Sequence, residues 1–304
     1  MFSPDKWLAN TSTGFYGHTI DQSLRFEDGD SAYLSRDPSS AGNRQKFTLS
    51  FWMKRGNLSS IQDPFSAGDS STDRFEVMLT ASDNLQVYMN TGGTIEQITT
   101  SQVFRDVSAW YHIVLAFDTT DGTAANRLKV YVNGSQVTDF STYDMSTINF
   151  STPVNSTSNQ YISKRNYVND RYYDGYLAEF HNIDGQQLTP SSFGETKDGI
   201  WISKKYTGSY GTNGFYLSYK SSDLNTTGSD RSDPYGSATD QPNNTFADNS
   251  GSGNYWTISG LVASDVVLDS PTNNFCTLNY LPDSTNFRNN LGNGNLYSNP
   301  GGNC

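Results

Sequence analysis

Cleavage of a glycosidic bond needs two carboxyl groups set across a cleft, one giving a proton and one attacking or activating water. The glutamates of this chain offer no such pair. Glu27, Glu76, Glu96, Glu179 and Glu195 are each isolated in sequence. Aspartate is more abundant, but it falls in Gly/Asn/Ser-rich stretches, where its side chain satisfies local backbone. His18, His112 and His181 lie far apart and have no Cys or Asp partners at ligand spacing. His112 sits beside Trp110 in an apolar-alternating run and reads as a structural imidazole. Cys276 and Cys304 form neither a metal spacing nor a redox pair, and read as free thiols. Nucleophile elbows and phosphate loops are absent. These residue types in these places argue for a chain that binds or builds, not one that breaks bonds.

The elements that would position such residues are strands. The stretch WYHIVLAFDTTDGTAANRLKVYVNGSQVT, from Trp110 to Thr138, holds two runs with an apolar period of two. Tyr111, Ile113, Leu115 and Phe117 share one face; Trp110, His112, Val114 and Ala116 share the other. Both are largely apolar, as in a strand inside a packed sandwich. Leu128, Val130 and Val132 then alternate with Lys129 and Tyr131, predicting a sheet with one wetter side. Asn133-Gly134 tolerates positive φ at both central positions and predicts a tight hairpin. Upstream, Phe47, Leu49, Phe51 and Met53 face a core while Thr48, Ser50, Trp52 and Lys54 face away. FEVMLTASDNLQVYMN reads as a hairpin and IEQITTSQVF as a further strand. Residues 141 to 159 read as loop, a strand is predicted from about Tyr172 to His181, and LTPSSFGE, with Pro190 in its first turn, as the start of a short helix.

Composition agrees. Of 304 residues, 34% are hydrophobic and 13% aromatic, with 19 Tyr and 17 Phe. That is the make-up of an all-β chain whose rings supply much of the buried area. Formal charge is −11 with no basic patch, which argues against nucleic acid and anionic membrane as partners. No apolar run is long enough to span a bilayer, and the first residues, with neither a charged nor an apolar leader region, do not read as a signal peptide. Asn-x-Ser/Thr sequons at Asn10, Asn57, Asn133, Asn155, Asn225 and Asn243 reflect the abundance of these residues. The organisation expected is an N-terminal arm (1–21), a sandwich (22–200), an extension with short strands (201–275) and a Gly/Asn-rich tail (276–304). The arm's Phe2, Trp7, Phe15 and Tyr16 are expected to dock on a surface of this chain or a neighbour. Runs at Phe215–Tyr219, Tyr255–Leu261 and Val266–Leu268 are expected to lie along the sandwich or on a neighbouring subunit, with a separate small domain as the alternative.

The ordered set FTLSFWMKRG, WYHIVLAFDTTDG, RLKVYVNGSQV and YYDGYLAEFHNIDGQQLTPSSFGE resembles the laminin G-like branch of the concanavalin A-like jelly rolls, over about residues 22 to 200. The fold this implies is an all-β, antiparallel β-sandwich jelly roll. The family's closing strand carries an Asp-Glu pair; here Ala178 precedes Glu179. QSLRFEDGDSAYLSR, SSAGNRQKFTLSFWMKRGN, FHNIDGQQLTPSSFGE, YTGSYGTNGFYLSY, NSGSGNYWTISGL and LDSPTNNFCTLN further resemble virion proteins of tailed bacteriophages, marine ones especially. The resemblance implies a non-enzymatic tail-fibre or capsid-fibre protein on the particle surface. Its partners would be other virion proteins, copies of itself (a trimer, by analogy) and a host-surface polysaccharide. A capsid decoration protein without a glycan role, and a carbohydrate-active enzyme, are the alternatives. Glycan binding, the role the resemblance favours, draws attention to RNYVNDRYYDG: Tyr167, Tyr172 and Tyr173 offer ring faces, and Asn169, Asp170 and Arg171 offer hydrogen bonds to hydroxyls. Packing is the other reading of the same tyrosines. No cofactor is expected, except that laminin G-like domains often hold calcium at the rim. Asp118 and Asp121, on the loop after the Trp110 strand, are the hard-oxygen candidates here.

Overall fold

Period-two alternation carries nearly the whole chain into extended structure. The computed structural model describes residues 14–274 and, as backbone, two short paired strands at Phe287–Asn289 and Leu296–Ser298. Phe2, Trp7, Asn10, both cysteines and most of the expected tail lie outside the described residues. In chain order the strands are β1 (Ser23–Phe26), β2 (Tyr33–Arg36), β3 (Lys46–Arg55), β4 (Gln62–Ser70), β5 (Asp73–Leu79), β6 (Asn84–Thr91), β7 (Thr94–Val103), β8 (Tyr111–Asp118), β9 (Leu128–Val132) and β10 (Ser135–Gln136). They continue with β11 (Phe140–Asp144), β12 (Gln160–Ile162), β13 (Gly175–Asp184), β14 (Gly194–Lys197), β15 (Ile200–Ser203), β16 (Phe215–Leu217), β17 (Leu224–Asn225), β18 (Thr245–Phe246), β19 (Trp256–Ser259) and β20 (Val266–Val267).

Two antiparallel sheets face each other. Sheet A has the order β10-β9-β8-β3-β13-β1-β20, with β16 also on β13; sheet B runs β11-β7-β6-β5-β4-β12-β2-β19-β18-β17. The jelly-roll sandwich expected from the sequence is what the chain forms. Its core interleaves the inward residues of both sheets, with Phe47 stacked on Phe117 at 4.4 Å and Phe51 on Phe180 at 4.8 Å between ring centroids. The predicted hairpins pair in register, Val77 opposite Val87 and Leu79 opposite Leu85. Asn133 and Gly134 both take positive φ, 46° and 81°, at the β9–β10 turn. The stretch after residue 200 adds strands to both sheets: β16 pairs with β13, β20 with β1 and β19 with β2. Among the described residues no helix is long and apolar enough to cross a membrane.

Three local expectations are corrected. The start of 141–159, expected as loop, belongs to an edge strand on β7, Phe140–Asp144; its Phe140 and Tyr143 rings, 5.1 Å apart, pack against the core and outweigh the polar residues between them. The strand expected from Tyr172 begins at Gly175 and runs on to Asp184. LTPSSFGE gives a single 3-10 turn, Pro190–Ser192, before β14. Thr48, Ser50, Trp52 and Lys54 do point away from the core, yet they are buried. A further layer covers them, as the contacts of Ile20, Trp201 and Asp269 described below show.

Candidate functional site

Sheet B turns one set of alternating side chains into the core and the other outward. Phe75, Val77, Val87 and Met89 go in; Arg74 and Glu76 of β5, Tyr88 of β6, Tyr161 of β12 and Tyr33 of β2 go out. The segment 163–174, between β12 and β13, folds across this outer face. Its backbone is pinned at several points: Asp63 N–H donates to the Arg171 carbonyl at 2.9 Å, Tyr173 N–H to that of Ser163 at 3.2 Å, and Ser66 Oγ to that of Lys164 at 2.7 Å. Ser163 and Arg171 take positive φ, 78° and 54°, a conformation that non-glycine residues hold only where surrounding contacts fix it.

Cations and rings alternate under the segment. The Arg74 guanidinium lies 4.2 Å from the Tyr88 ring and 5.6 Å from that of Tyr167. Arg165 lies 5.2 Å from Tyr167, and the Lys164 ammonium 4.3 and 4.7 Å from Tyr161 and Tyr33. Partly desolvated contacts of this type each contribute on the order of 1 kcal/mol. Burial holds the Lys164 amine below its ordinary value. The Arg165 hydrogen bonds keep the Asp170 carboxyl below its own. Beneath lies Asp63, fully buried, with both carboxyl oxygens lacking a hydrogen-bond partner among the described residues. Burial, and then the neighbouring Glu76, push Asp63 well above the ordinary carboxyl value. Burial raises Glu76 as well, against the pull of Arg74 and Arg171.

This geometry sorts the six residues picked out in the sequence. Tyr167 uses its hydroxyl to accept from Arg74 (3.0 Å) and Arg165 (3.3 Å). Asn169 Oδ1 accepts from Lys164 Nζ at 2.6 Å, and Asp170 forms an ion pair with Arg165. These three hold the segment to itself and, through Arg74, to β5. Tyr173 is corrected outright: it is fully buried, packs on Phe26 and donates its hydroxyl to the Lys54 carbonyl at 2.8 Å. It is a core residue with no surface to offer. Arg171 and Tyr172 remain. Arg171 approaches Glu76 Oε2 only to 3.5 Å, longer than a good charge-assisted bond. The half-buried Tyr172 ring lies 6.4 Å from that of Tyr33. Together they border an open depression of about 370 Å³, with Asp28, Ser60, Ile61 and Gln62 on its other sides.

Sequence reasoning missed Tyr33, Tyr161, Arg74, Glu76, Lys164 and Asp63. Tyr33 and Tyr161 could have been found as outward positions of their strands; which strands pair was the missing fact. The calcium candidates do not converge on an open site. Asp118 pairs with Lys46 Nζ at 2.7 Å and accepts from Thr120. Asp121 accepts from the Thr123 N–H at 2.7 Å. Among the described residues no three of the His, Cys, Asp or Glu side chains gather as metal ligands would.

The outer face of sheet A is finished differently. His112, fully buried, accepts at Nδ1 from Trp201 Nε1–H (3.0 Å), and its Nε2 lies 2.9 Å from Ser50 Oγ. Since indole only donates, the imidazole is neutral with its proton on Nε2. Burial, reinforced by His181, pushes it down to about 3. Glu179 sits at a bulge in β13 with φ 49°. It takes hydrogen bonds from His18 Nε2 (3.0 Å) and Tyr216 Oη (2.6 Å). Burial raises its carboxyl, but His18 and His181 outweigh that and hold it at about 2. Ile20, Trp52, Trp110 and Ala178 pack together above, with Trp201 against them.

Comparison with known proteins bears on the fold. A family model described as the concanavalin A-like lectin/glucanases superfamily matches residues 28–192. No curated protein matches the chain in sequence. A carbohydrate-binding protein from Bacteroides ovatus, described as putative in its own right, is similar in structure at 14% identity and TM-score 0.46, over 80% of this chain and 60% of that one. Domain 4 of an extracellular arabinanase from Geobacillus stearothermophilus, solved with arabinotriose, shares 18% identity at TM-score 0.40, over 58% of this chain and 83% of that one. A tailspike protein of an Escherichia coli bacteriophage shares 12% at TM-score 0.39, over 57% of this chain and 24% of that one. This chain therefore spans less than two thirds of the Bacteroides and bacteriophage proteins.

Proposed function

The chain belongs to the concanavalin A-like lectin/glucanase superfamily, and from that premise we propose that it is a non-enzymatic, adhesive structural protein of a tailed-phage particle. It binds host-surface carbohydrate through the outer face of sheet B. The observation that carries the binding role is the division of labour in segment 163–174. Tyr167, Asn169 and Asp170 are spent on holding the segment rigid, which leaves Arg171 and Tyr172 presented beside an open depression. A sugar needs a ring face to stack on and fixed polar groups for its hydroxyls, and a pre-ordered site loses little entropy on binding. The virion setting is supported by the ordered phrases of the sequence. The chain would sit there as a homo-oligomer, a trimer by analogy, beside other virion proteins.

A binding role is supported over a cleaving one by how the acids of this face are used. Asp170 is paired with Arg165, and Glu76 lies between Arg74 and Arg171. One observation favours a second reading, a carbohydrate-active enzyme: Asp63 and Glu76 are two neighbouring carboxyl groups on this face, as a glycoside-cleaving site needs. Asp63, however, lies sealed beneath the Arg171 backbone. A glycan array of bacterial surface polysaccharides tests the proposal, with release of reducing ends measured on every ligand found. Binding without turnover is the expected result; turnover replaces the proposal with the second reading, and no binding leaves an architectural role alone. Labelled virions imaged by microscopy separate a tail or capsid fibre from a capsid decoration protein.

A further inference from the structure

Deepening the carbohydrate reading above, on which it rests, we infer that the depression beside Arg171 and Tyr172 is a subsite for an acidic sugar, one whose ring carries a carboxylate. Arg171 is the group that selects it. Its guanidinium is planar and permanently charged, matched to a carboxylate, yet its neighbours leave it poorly used. One terminal nitrogen reaches Glu76 Oε2 at 3.5 Å and the Met78 sulfur at 4.0 Å.

The opposite wall supplies an acceptor. Gln62 lines the depression and is buried. Its Nε2 donates to Asn57 Oδ1 and Ser60 Oγ, while its Oε1 has no partner among the described residues. That oxygen is closed off from solvent, so the acceptor the wall presents to a ligand is Asp28, on the rim. Tyr172 and Ile61 supply apolar surface for the ring. A donor on one wall, an acceptor on the other and apolar surface between them fit one hexuronate or nonulosonate residue within the available 370 Å³.

The charge around the segment points the same way. Four cations, Arg74, Lys164, Arg165 and Arg171, are gathered there against Glu76, Asp170 and Asp63. In the lining of the depression itself the charged side chains are Arg171 on one side and Asp28 on the other, on a chain whose formal net charge is −11. An anionic sugar is oriented there with its carboxylate towards Arg171 and away from Asp28, and is repelled by most of the remaining surface.

Calorimetric titration of the full chain with matched probes tests this: trigalacturonate against its carboxyl-reduced trisaccharide, and sialyllactose against lactose. At least one acidic probe is expected to bind about tenfold or more tighter than its neutral counterpart, and to weaken as salt rises. Arg171→Gln should lower that affinity about 10- to 100-fold. Lys204→Gln, which removes an equal charge from an exposed site bonded to Ser191 over sheet A, should not. Thermal melting checks that Arg171→Gln folds; Tyr172→Ala, expected to cost about tenfold through lost stacking, carries the test if it does not. Equal or tighter binding of the neutral probes overturns the acidic-sugar assignment and leaves carbohydrate binding standing. Acidic binding that survives both substitutions overturns this subsite. Absence of binding by either class overturns both readings.

Discussion

On the outer face of sheet A, Trp52 and Ala178 lie under Ile20, and His112 under Trp201. On the outer face of sheet B, Tyr33, Tyr161 and Arg74 are half-buried beneath a single segment. Both faces follow the same alternation, yet they are finished in opposite ways. The sealed face closes its polar groups on one another: a neutral imidazole between indole and hydroxyl, a carboxylate between histidine and tyrosine. The open face closes most of its polar groups but leaves one guanidinium held only by a long 3.5 Å ion pair and one ring half-exposed. A face with nothing left over contributes stability; a face with spare donors and ring area can take a ligand.

The largest expected effect breaks the sealed face. Lys54 and Asp269 form an ion pair at 2.8 Å, almost wholly out of solvent, and Asp269 also accepts from Trp110 Nε1 at 3.1 Å. Asp269→Ala leaves a buried ammonium with Asn274 Oδ1 at 3.1 Å but without its counter-charge, and should cost about 3–5 kcal/mol, read as a lower urea midpoint. A change under about 1 kcal/mol would show that the cover is loose and the contrast between the faces is overdrawn.

Next come opposite responses to pH. His112 has a folded value of about 3 against an ordinary 6.5. The unfolded chain therefore binds the extra proton between these limits, and stability is lost as pH falls from about 6.5 towards 3. Glu179, held at about 2 against 4.5, adds to the loss below pH 4.5. His112→Gln should cost about 1–3 kcal/mol at neutral pH and flatten this slope; urea midpoints across pH check both. Asp63 runs the other way. Its folded value lies above 3.8, so its contribution is full at low pH and is lost as pH rises. Asp63→Asn should raise stability at pH 8 relative to wild type by about 1 kcal/mol or more and leave it nearly unchanged at pH 3. A loss at pH 8 would mean that the carboxylate is ionised and paired.

The smallest effect concerns Arg165 and Asp170, an ion pair at the solvent edge. Asp170→Asn should change stability by less than about 1 kcal/mol, while speeding amide hydrogen exchange across 164–172. Unchanged exchange would show that the ion pair does not order the segment.

The sandwich was legible because its signals are local. Alternation in β3, β5, β6 and β8 and the Asn133-Gly134 turn each depend on a few neighbouring residues. The binding segment was legible in outline, as a cluster of tyrosines and polar side chains, but its sorting was not. Tyr172 and Tyr173 are adjacent and chemically identical, and only the entry into β13 sends one to the rim and the other to the core. Burial of Thr48, Ser50 and Lys54 was hidden for a similar reason. They face away from the sandwich, as their alternation says, but the chain that covers them lies more than a hundred residues on, with Leu188 N–H donating to Thr48 and Asp269 paired with Lys54. Asn155 and Asn225 read as sequons, yet both side chains are buried and bonded within the fold.

One substitution on each face puts the contrast to its most direct test. With a polysaccharide that the wild-type chain binds on an array, affinity is measured for Tyr172→Ala on the open face and Tyr206→Ala on the cover of the sealed one. A loss of about tenfold is expected for the first and no change for the second. Equal affinity in both variants, or a loss confined to Tyr206→Ala, would contradict that contrast.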